Sequence, residues 1–593
     1  MDSAKPIRFR FGPFEVDVTA EEIFEHGEPL PLQSKPFQFL AMLLQHQGSL
    51  VTREQMSHVL WPDIYVQVNQ GLNAAARKIR IALQDDFVNP KYFETMGSFG
   101  YRFIHPVEVL AWSASDDLNE ERLVRMAVLP FTAEGPDGEQ LGNGFAGELI
   151  SMLGGAHSRL KVIAPTSVQG YVGNNVAPRV VAEQLDVRFL LTGRIGYNKD
   201  RFSVEARLFD VPEENELWAG KSERGNIAEL LNEVASGVLA SMQPDLLPSH
   251  AVVPMRSKMK TKTSRGYFAA QQMWFRRTGS NLKEALAGYQ RVCEHDPGFA
   301  PGHAGAANVW IMLAAHDLIA PRPAYQAALA AGERALDLSP ELPEALVAKA
   351  WAKLAVEHDW ATSTRIFERA LQLNSSYAFG HAGYGHLLLS RGRVDEALSA
   401  MEQGYLLDPL SSSMSANFAM ACYYARRYDD TIRVARRTLE IDSANCMARV
   451  LLGGAFLAQR RFSEALQQFE TGVQCANGEA AVMEAHLAHA YVEAGRQAHA
   501  EPILHRLETR DGQTPKPAYQ IALVRLGLGD VNGAVRWLER ACQERFPRTL
   551  FLAVDPKLDI LRGTKHFDEM CKKVREPDLR QVARGRRRES GAA

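Results

Sequence analysis

Leu72-Asn73-Ala74-Ala75-Ala76-Arg77-Lys78-Ile79-Arg80 reads as a helix with an apolar stripe and a separate basic face. Leu72, Ala75, Ala76, Ile79 and Leu83 recur at helical spacing and can pack inward. Asn73, Arg77, Arg80 and Gln84 fall together on another side. From Gln67 to Ala82 there are three positive residues and no acid. Such a helix can lie in a major groove, its amides reading base edges and its arginines meeting guanine or phosphate. Taken alone, the same face could equally be a solvated surface.

The flanking segments tip that balance. Ser34 is placed to cap an apolar helix carrying Phe37, Leu40, Ala41 and Leu44, which stops before Gly48. Thr52-Arg53-Glu54-Gln55 fits a capping box that opens a second short helix with Met56, Val59 and Leu60. Pro62 interrupts the chain before the basic helix begins near Val68. Tyr92 to Thr95 and Tyr101 to Ile104 flank a glycine-containing turn and predict a hairpin. Arg8 to Phe11 and Phe14 to Val16 flank Gly12-Pro13, consistent with a small N-terminal sheet. Strands, three helices and a closing hairpin describe a winged helix.

At this point the sequence resembles the OmpR/PhoB-type winged-helix DNA-binding domain, in the version found at the N-terminus of CadC-like and HilA-like regulators. The matching residues are Phe11 to Phe14, Gly48 to Gln55, Trp61-Pro62, Leu72-Asn73 with Arg77 to Arg80, Asn89 to Thr95, and Gly100 to Phe103. In that family the third helix enters the major groove, the hairpin wing touches the neighbouring minor groove, and the loop before the third helix can contact RNA polymerase. The resemblance therefore implies DNA-binding roles for Asn69, Gln70, Asn73, Arg77, Lys78 and Arg80, with Arg53 and the wing residue Arg102. It implies a polymerase-contact loop at Asp63, Ile64, Tyr65, Val66 and Gln67. Two departures weaken the positive field: Ser98 and Phe99 stand where the family's wing often carries arginines, and Ile81 stands where a base is common. Acids slightly outnumber bases over residues 1–106. The expectation is modest DNA affinity with a shallow salt dependence, aided by dimerisation or adjacent sites.

The second half is a repeat array. Pro340, Ser375, Pro409, Ser443 and Asn477 lie 35, 34, 34 and 34 residues apart, the tetratricopeptide period. Asp395 to Leu398, Asp429 to Ile432 and Ser463 to Leu466 repeat in phase, and Ala382, Gly385, Ala416 and Gly453 sit where paired helices approach closely. One helix pair cannot bury its own apolar face, so units stack into a solenoid. The resemblance to tetratricopeptide repeats predicts eight pairs, with Asp555 to Leu558 and His566 to Asp568 capping the stack.

Between these regions, Leu123 to Pro244 alternates strand and helix signals and then reads as an antiparallel meander before a helix from Ile227 to Met242. It looks like the TolB-N-like domain that precedes repeats in bacterial regulators and cyclase-associated proteins. Gly142-Asn143-Gly144-Phe145-Ala146-Gly147 matches GxGxxG. However, the dinucleotide fingerprint follows its strand directly, whereas here a gap of about ten residues intervenes, so a glycine-rich turn is expected. Glu484, His486 and His489 cluster on one repeat helix without HExxH spacing or a third ligand. No P-loop, GxSxG or Ser/His/Asp set is evident.

Composition fits a large multidomain regulator. Of 593 residues, 46% are hydrophobic and 23% charged, ordinary values for globular proteins. A net charge of −3 argues against coating nucleic acid or an anionic membrane along the whole length. Six cysteines without a CxxC pair fit reduced thiols in a cytoplasmic protein. The first residues lack the apolar core of a secretory signal, and no run reaches the roughly 18 apolar residues needed to span a bilayer.

The expected architecture is multidomain and mostly α: a winged helix (α+β, 1–106), a linker (107–122), a small α/β domain (123–246), a linker (247–263), an α-solenoid of tetratricopeptide repeats (264–575) and a basic tail (576–593). The expected activity is transcriptional regulation without enzyme chemistry or cofactors, in the cytoplasm and off the membrane. Partners are double-stranded DNA, a protein or peptide signal through the repeats, and RNA polymerase and a second copy of the chain as candidates. The alternatives are a repeat-based interaction scaffold without sequence-specific DNA binding, and a nucleotide-responsive regulator acting through the middle domain.

Overall fold

The capping box predicted at Thr52 forms as drawn: the Thr52 amide donates to Gln55 Oε1 at 2.9 Å, and the Gln55 amide to Thr52 Oγ1 at 3.2 Å. It opens α2 (Arg53–Leu60), which lies between α1 (Ser34–Gln45) and α3 (Val68–Leu83). This computed structural model describes residues 8–17, 22–25, 28–30, 32, 34–45, 50–60, 68–86, 90–97, 99–110, 123–133, 135, 137–171, 176–198, 200–242, 246, 259–276, 279–315, 318–475, 480–509, 517–544 and 547–575. The chain forms two units, residues 1–122 and 123–593.

In the first unit, strands β1 (Arg8–Phe11), β2 (Phe14–Asp17), β3 (Glu22–Glu25), β4 (Glu28–Pro29) and β8 (Glu108–Leu110) make an antiparallel sheet ordered β4-β3-β2-β1-β8. A second sheet, β5-β7-β6, joins β5 (Leu50–Thr52) to the hairpin of β6 (Phe93–Met96) and β7 (Gly100–Phe103). The predicted stripe is the core. Leu72, Ala75, Ala76, Ile79 and Leu83 are all buried, against Phe37, Phe39, Leu40 and Phe93. Phe11, Phe14, Tyr92 and Phe103 meet edge-on or tilted at ring separations of 5.0–5.5 Å, tying the N-terminal sheet to the wing.

The second unit opens with a mixed sheet ordered β10-β9-β11-β12-β13: β9 (Val124–Val128), β10 (Leu160–Val162), β11 (Phe189–Asn198), β12 (Arg201–Asp210) and β13 (Asn215–Arg224). β9 runs parallel to both β10 and β11, and the last three strands form the predicted meander. Helices α4 (Gly138–Gly154), α5 (Pro165–Val168), α6 (Pro178–Leu185) and α7 (Ile227–Met242) accompany it. The GxGxxG segment is not the expected turn but the interior of α4. A Cβ at Gly142 would lie 1.8 Å from the Phe131 carbonyl oxygen, and one at Gly144 would lie 2.1 Å from Phe268 Cγ. Those glycines let a helix approach a backbone and a ring, so they cannot cradle a pyrophosphate as the fingerprint does at a helix N-terminus.

Eight helix pairs follow among the described residues: α8 (Thr261–Arg276) with α9 (Gly279–His295), α10 (Ala300–Ala315) with α11 (Pro321–Leu338), α12 (Pro343–Glu357) with α13 (Trp360–Leu373), α14 (Ala378–Ser390) with α15 (Val394–Leu407), α16 (Ser412–Tyr424) with α17 (Tyr428–Ile441), α18 (Cys446–Ala458) with α19 (Phe462–Cys475), α20 (Ala480–Glu493) with α21 (Gln497–Thr509), and α22 (Ala518–Gly527) with α23 (Val531–Gln543). The 34-residue period reappears as backbone geometry. His358, Gly392, Arg426, Arg460, Gly495 and Gly529 adopt positive φ, between 53° and 81°, at the turn inside each pair from α12/α13 to α22/α23, and Gly563 repeats the pattern ahead of the last helix.

The two helices of a pair differ in kind. First helices pack on one another from pair to pair and are buried nearly all round. In α16, Met414, Ser415, Ala416 and every residue from Phe418 to Tyr424 are covered. Second helices such as α17 bury one stripe, Thr431, Ile432, Val434, Ala435 and Thr438, and face solvent with the rest.

What covers the first helices is the chain itself. The start of α12 and the turns before α14 and α16 bind the α/β region at matching positions. Ser151 Oγ donates to Glu344 at 2.9 Å, Lys161 Nζ to Ser375 Oγ at 2.9 Å, the Val162 amide to Ser376 Oγ at 3.1 Å, and Ser167 Oγ to Asp408 at 2.6 Å. The C-terminal segment, two 3₁₀ turns at Pro547–Phe551 and Pro556–Leu561, runs back over α14, α16 and α22. Asp555 to Leu558 thus reach Tyr423 of α16 and Tyr519 of α22, while Leu558 is buried with the last helix pair. The last helix, α24 (Lys565–Arg575), which contains His566 to Asp568, also packs on α23.

Candidate nucleic-acid interface

α3 carries Asn73, Arg77, Lys78 and Arg80 at positions fixed by its buried stripe. Arg77 and Lys78 are exposed, and Arg77 has no ion pair or hydrogen bond among the described residues. Asn73 is exposed yet engaged: its Oδ1 accepts from Arg53 Nη1 at 3.2 Å, Arg53 Nη2 at 3.1 Å and the Tyr101 hydroxyl at 3.0 Å. One amide oxygen thus joins α2, α3 and β7. Arg53 also stacks 5.0 Å over the Tyr101 ring.

Arg80 departs from the helical-wheel expectation. Its guanidinium turns toward the wing, 4.5 Å over the Phe93 ring, and Nη2 donates to Thr95 Oγ1 at 3.0 Å. Burial lowers its pKa, with Asp85 and Tyr101 opposing that shift. A cation over a ring contributes about 0.5–1 kcal/mol, so Arg80 braces the hairpin against α3 and is not presented on the outward face beside Arg77. Arg102 departs as well: its Nε donates to Glu94 Oε1 at 2.7 Å across the hairpin. The pair is half-exposed, worth under about 1 kcal/mol, yet it neutralises the charge that Arg102 would bring to the wing.

The wing is anchored by a residue that sequence reasoning passed over. Asp85, just beyond the end of α3, accepts from the Lys91 amide at 2.6 Å and from the Tyr92 and Phe93 amides at 3.3–3.4 Å. Its signal was an acid placed directly after the helix and ahead of the hairpin. At the tip, Phe99 is 73% exposed, and Ile81 on α3 is 68% exposed. Asn69 and Gln70 fall in the first turn of α3, where the side chains lie outside the described residues. The loop Asp63, Ile64, Tyr65, Val66 and Gln67 lies outside them entirely.

Residues 27–103 match the family model described as "Transcriptional regulatory protein, C terminal". The N-terminal unit is an OmpR/PhoB-type winged-helix domain. Along this winged helix the chain is similar to "Sensory transduction protein RegX3" of Mycolicibacterium smegmatis, 30% identical over 91 residues, 15% of this chain and 40% of that protein. A second match, a Rhizobium meliloti protein that carries an adenylate cyclase name, is 27% identical over 236 residues, 37% of this chain and 39% of that one. The chain thus spans about two-fifths of the length of these curated relatives. Among solved structures, the RstA DNA-binding domain of Klebsiella pneumoniae in complex with RstA box is 22% identical, covering 16% of this chain and 96% of that chain at a TM-score of 0.15. A tetratricopeptide protein of Thermus thermophilus is 20% identical, covering 32% of this chain and 100% of that chain at a TM-score of 0.27.

Among the described residues no group of His, Cys, Asp and Glu is arranged to hold a metal ion, and no helix is long and apolar enough to cross a membrane. His486 and His489 are buried in α20. The His486 ring stacks on Phe469 at 5.8 Å.

Proposed function

We propose that this chain is a cytoplasmic, non-enzymatic transcription regulator whose winged helix binds duplex DNA and whose solenoid receives a protein or peptide signal. The observation that carries the DNA reading is the division of labour on α3. Arg53, Asn73, Arg80 and Tyr101 lock the helix to the wing, which leaves Arg77 exposed and without a partner among the described residues, beside the exposed Lys78. Phosphate contacts would come from those two bases, and direct readout from Arg77 together with Asn69 and Gln70 at the leading end of the helix. Asp63 to Gln67 remain the segment proposed to meet RNA polymerase, and a second copy of the chain is proposed to raise the modest affinity.

The α/β region would transmit the state of the solenoid, because its α4, β10 and α5 are hydrogen-bonded to the start of α12 and the turns before α14 and α16. Any rearrangement of those turns must be felt there.

A second reading has one observation in its favour. Phe99 and Ile81 are exposed apolar groups on the wing and recognition helix, which suits a winged domain that docks protein. Electrophoretic mobility shifts with the full chain on selected genomic fragments separate the two. The regulator reading expects Arg77→Ala and Lys78→Ala to weaken binding about tenfold each, and the scaffold reading expects no DNA-dependent shift in wild type.

A further inference from the structure

The inner face of a repeat solenoid is where an extended partner would lie, and here it is filled from within. Phe551 sits 5.8 Å from the His386 ring on α14 and 5.6 Å from Tyr424 on α16. Arg548 reaches Met447 Sδ on α18 at 3.8 Å. Lys557 stands 4.7 Å over the Tyr423 ring. Asp555 accepts from the Tyr519 hydroxyl on α22 at 2.6 Å, and Asp559 pairs with Arg426 at 2.6 Å. Fifteen residues thus cross four first helices using one aromatic anchor, two acids and two bases, as a bound peptide engages a groove, while Leu552, Leu558 and Leu561 are buried with α22 and α23.

The fit is imperfect in a specific way. His486 and His489, on the α20 helix that the segment also spans, are 2% and 8% exposed. His486 Nε2 and His489 Nδ1 have no hydrogen-bond partner among the described residues. Both imidazoles feel the positive charge of Lys557. Burying a polar atom without a partner costs about 1–3 kcal/mol, so the groove floor holds hydrogen-bonding capacity that the nearby Lys557 does not meet.

We propose that residues 547–561 are a displaceable intramolecular stand-in for a peptide partner. The partner is an extended segment with an aromatic residue followed four positions later by an acid, and with a side chain that both donates and accepts, such as an amide, where this chain places Lys557. Binding of that partner and seating of the strap are mutually exclusive. The inference rests on the reading of the solenoid as an interaction part and names which face it uses and what must leave.

The probe is a fluorescent synthetic peptide of residues 547–562, titrated by anisotropy into the full chain without DNA. A tethered competitor acts at an effective concentration of roughly millimolar. Wild type should therefore bind the peptide weakly, the strap variant Phe551→Ala/Lys557→Ala at least ten times more tightly, and the same variant with Tyr424→Ala no better than wild type. Hydrogen exchange on unmodified wild type provides the control against misfolding: strap amides should exchange well ahead of those in α22 and α23. A folded strap variant with no gain, or a strap protected as strongly as α22, overturns the proposal. Array peptides that bind wild type without altering strap exchange would overturn it too, while sparing the broader reading of the solenoid.

Discussion

Two helices, α3 and α16, make the instructive comparison. Both carry a run of small and apolar residues, but α3 buries one stripe and leaves Arg77 and Lys78 outside, whereas α16 is covered on nearly every side. The first is a surface held ready for something not in the chain. The second is covered by its neighbouring repeat helices and, at Tyr423 and Tyr424, by residues 547–561.

Acid should separate the two regions most strongly. Burial depresses His381, His386 and His489 in the second unit to about 4. Each is neutral when folded but protonates near 6.5 when unfolded, so the unfolded state binds more protons between those values. Stability is then fully present above about 6.5 and is lost as pH falls toward 4, by up to about 3 kcal/mol per imidazole. Denaturant midpoints of the solenoid signal at pH 7 and pH 4.5 check this, and an unchanged midpoint would contradict the burial.

Gly142→Ala comes next, because its new methyl would press on the Phe131 carbonyl. A loss of about 3 kcal/mol in the second unit is expected, read from thermal unfolding, with DNA binding by the winged helix preserved. On the open face, Arg77→Ala should cost about 1–2 kcal/mol of DNA affinity and reduce the salt slope by about one, while leaving melting unchanged. Arg80→Ala should do the opposite in character, lowering the melting temperature through the lost contacts with Phe93 and Thr95. The smallest effect is expected from Phe99→Arg, which adds one wing charge and should steepen the salt slope by about one or less.

Much of this was legible in the chain. The stripe of α3, the Thr52–Gln55 box and the hairpin depend on local spacing and appear where expected. So do the eight helix pairs, whose 34-residue period even resurfaces in the positive-φ residues from His358 to Gly563. What failed to show depends on distant partners. A helical wheel puts Arg80 beside Arg77 because it cannot know that Phe93 will draw the guanidinium under the wing. Gly142 to Gly147 imitate a phosphate turn because glycine serves close helix packing equally well. The reach of the segment before α24 to α14 and α16 is equally invisible, because nothing local says that Phe551 will travel back to His386.

The account stands most directly on DNA binding by the exposed bases of α3. Fluorescence anisotropy of the full chain on selected genomic fragments, across a salt series, measures it. Wild type should bind with a shallow negative salt slope, and removing both Arg77 and Lys78 should weaken binding about a hundredfold without unfolding the domain. Equal retention of the same fragments by wild type and the doubly substituted chain at low ionic strength would contradict it.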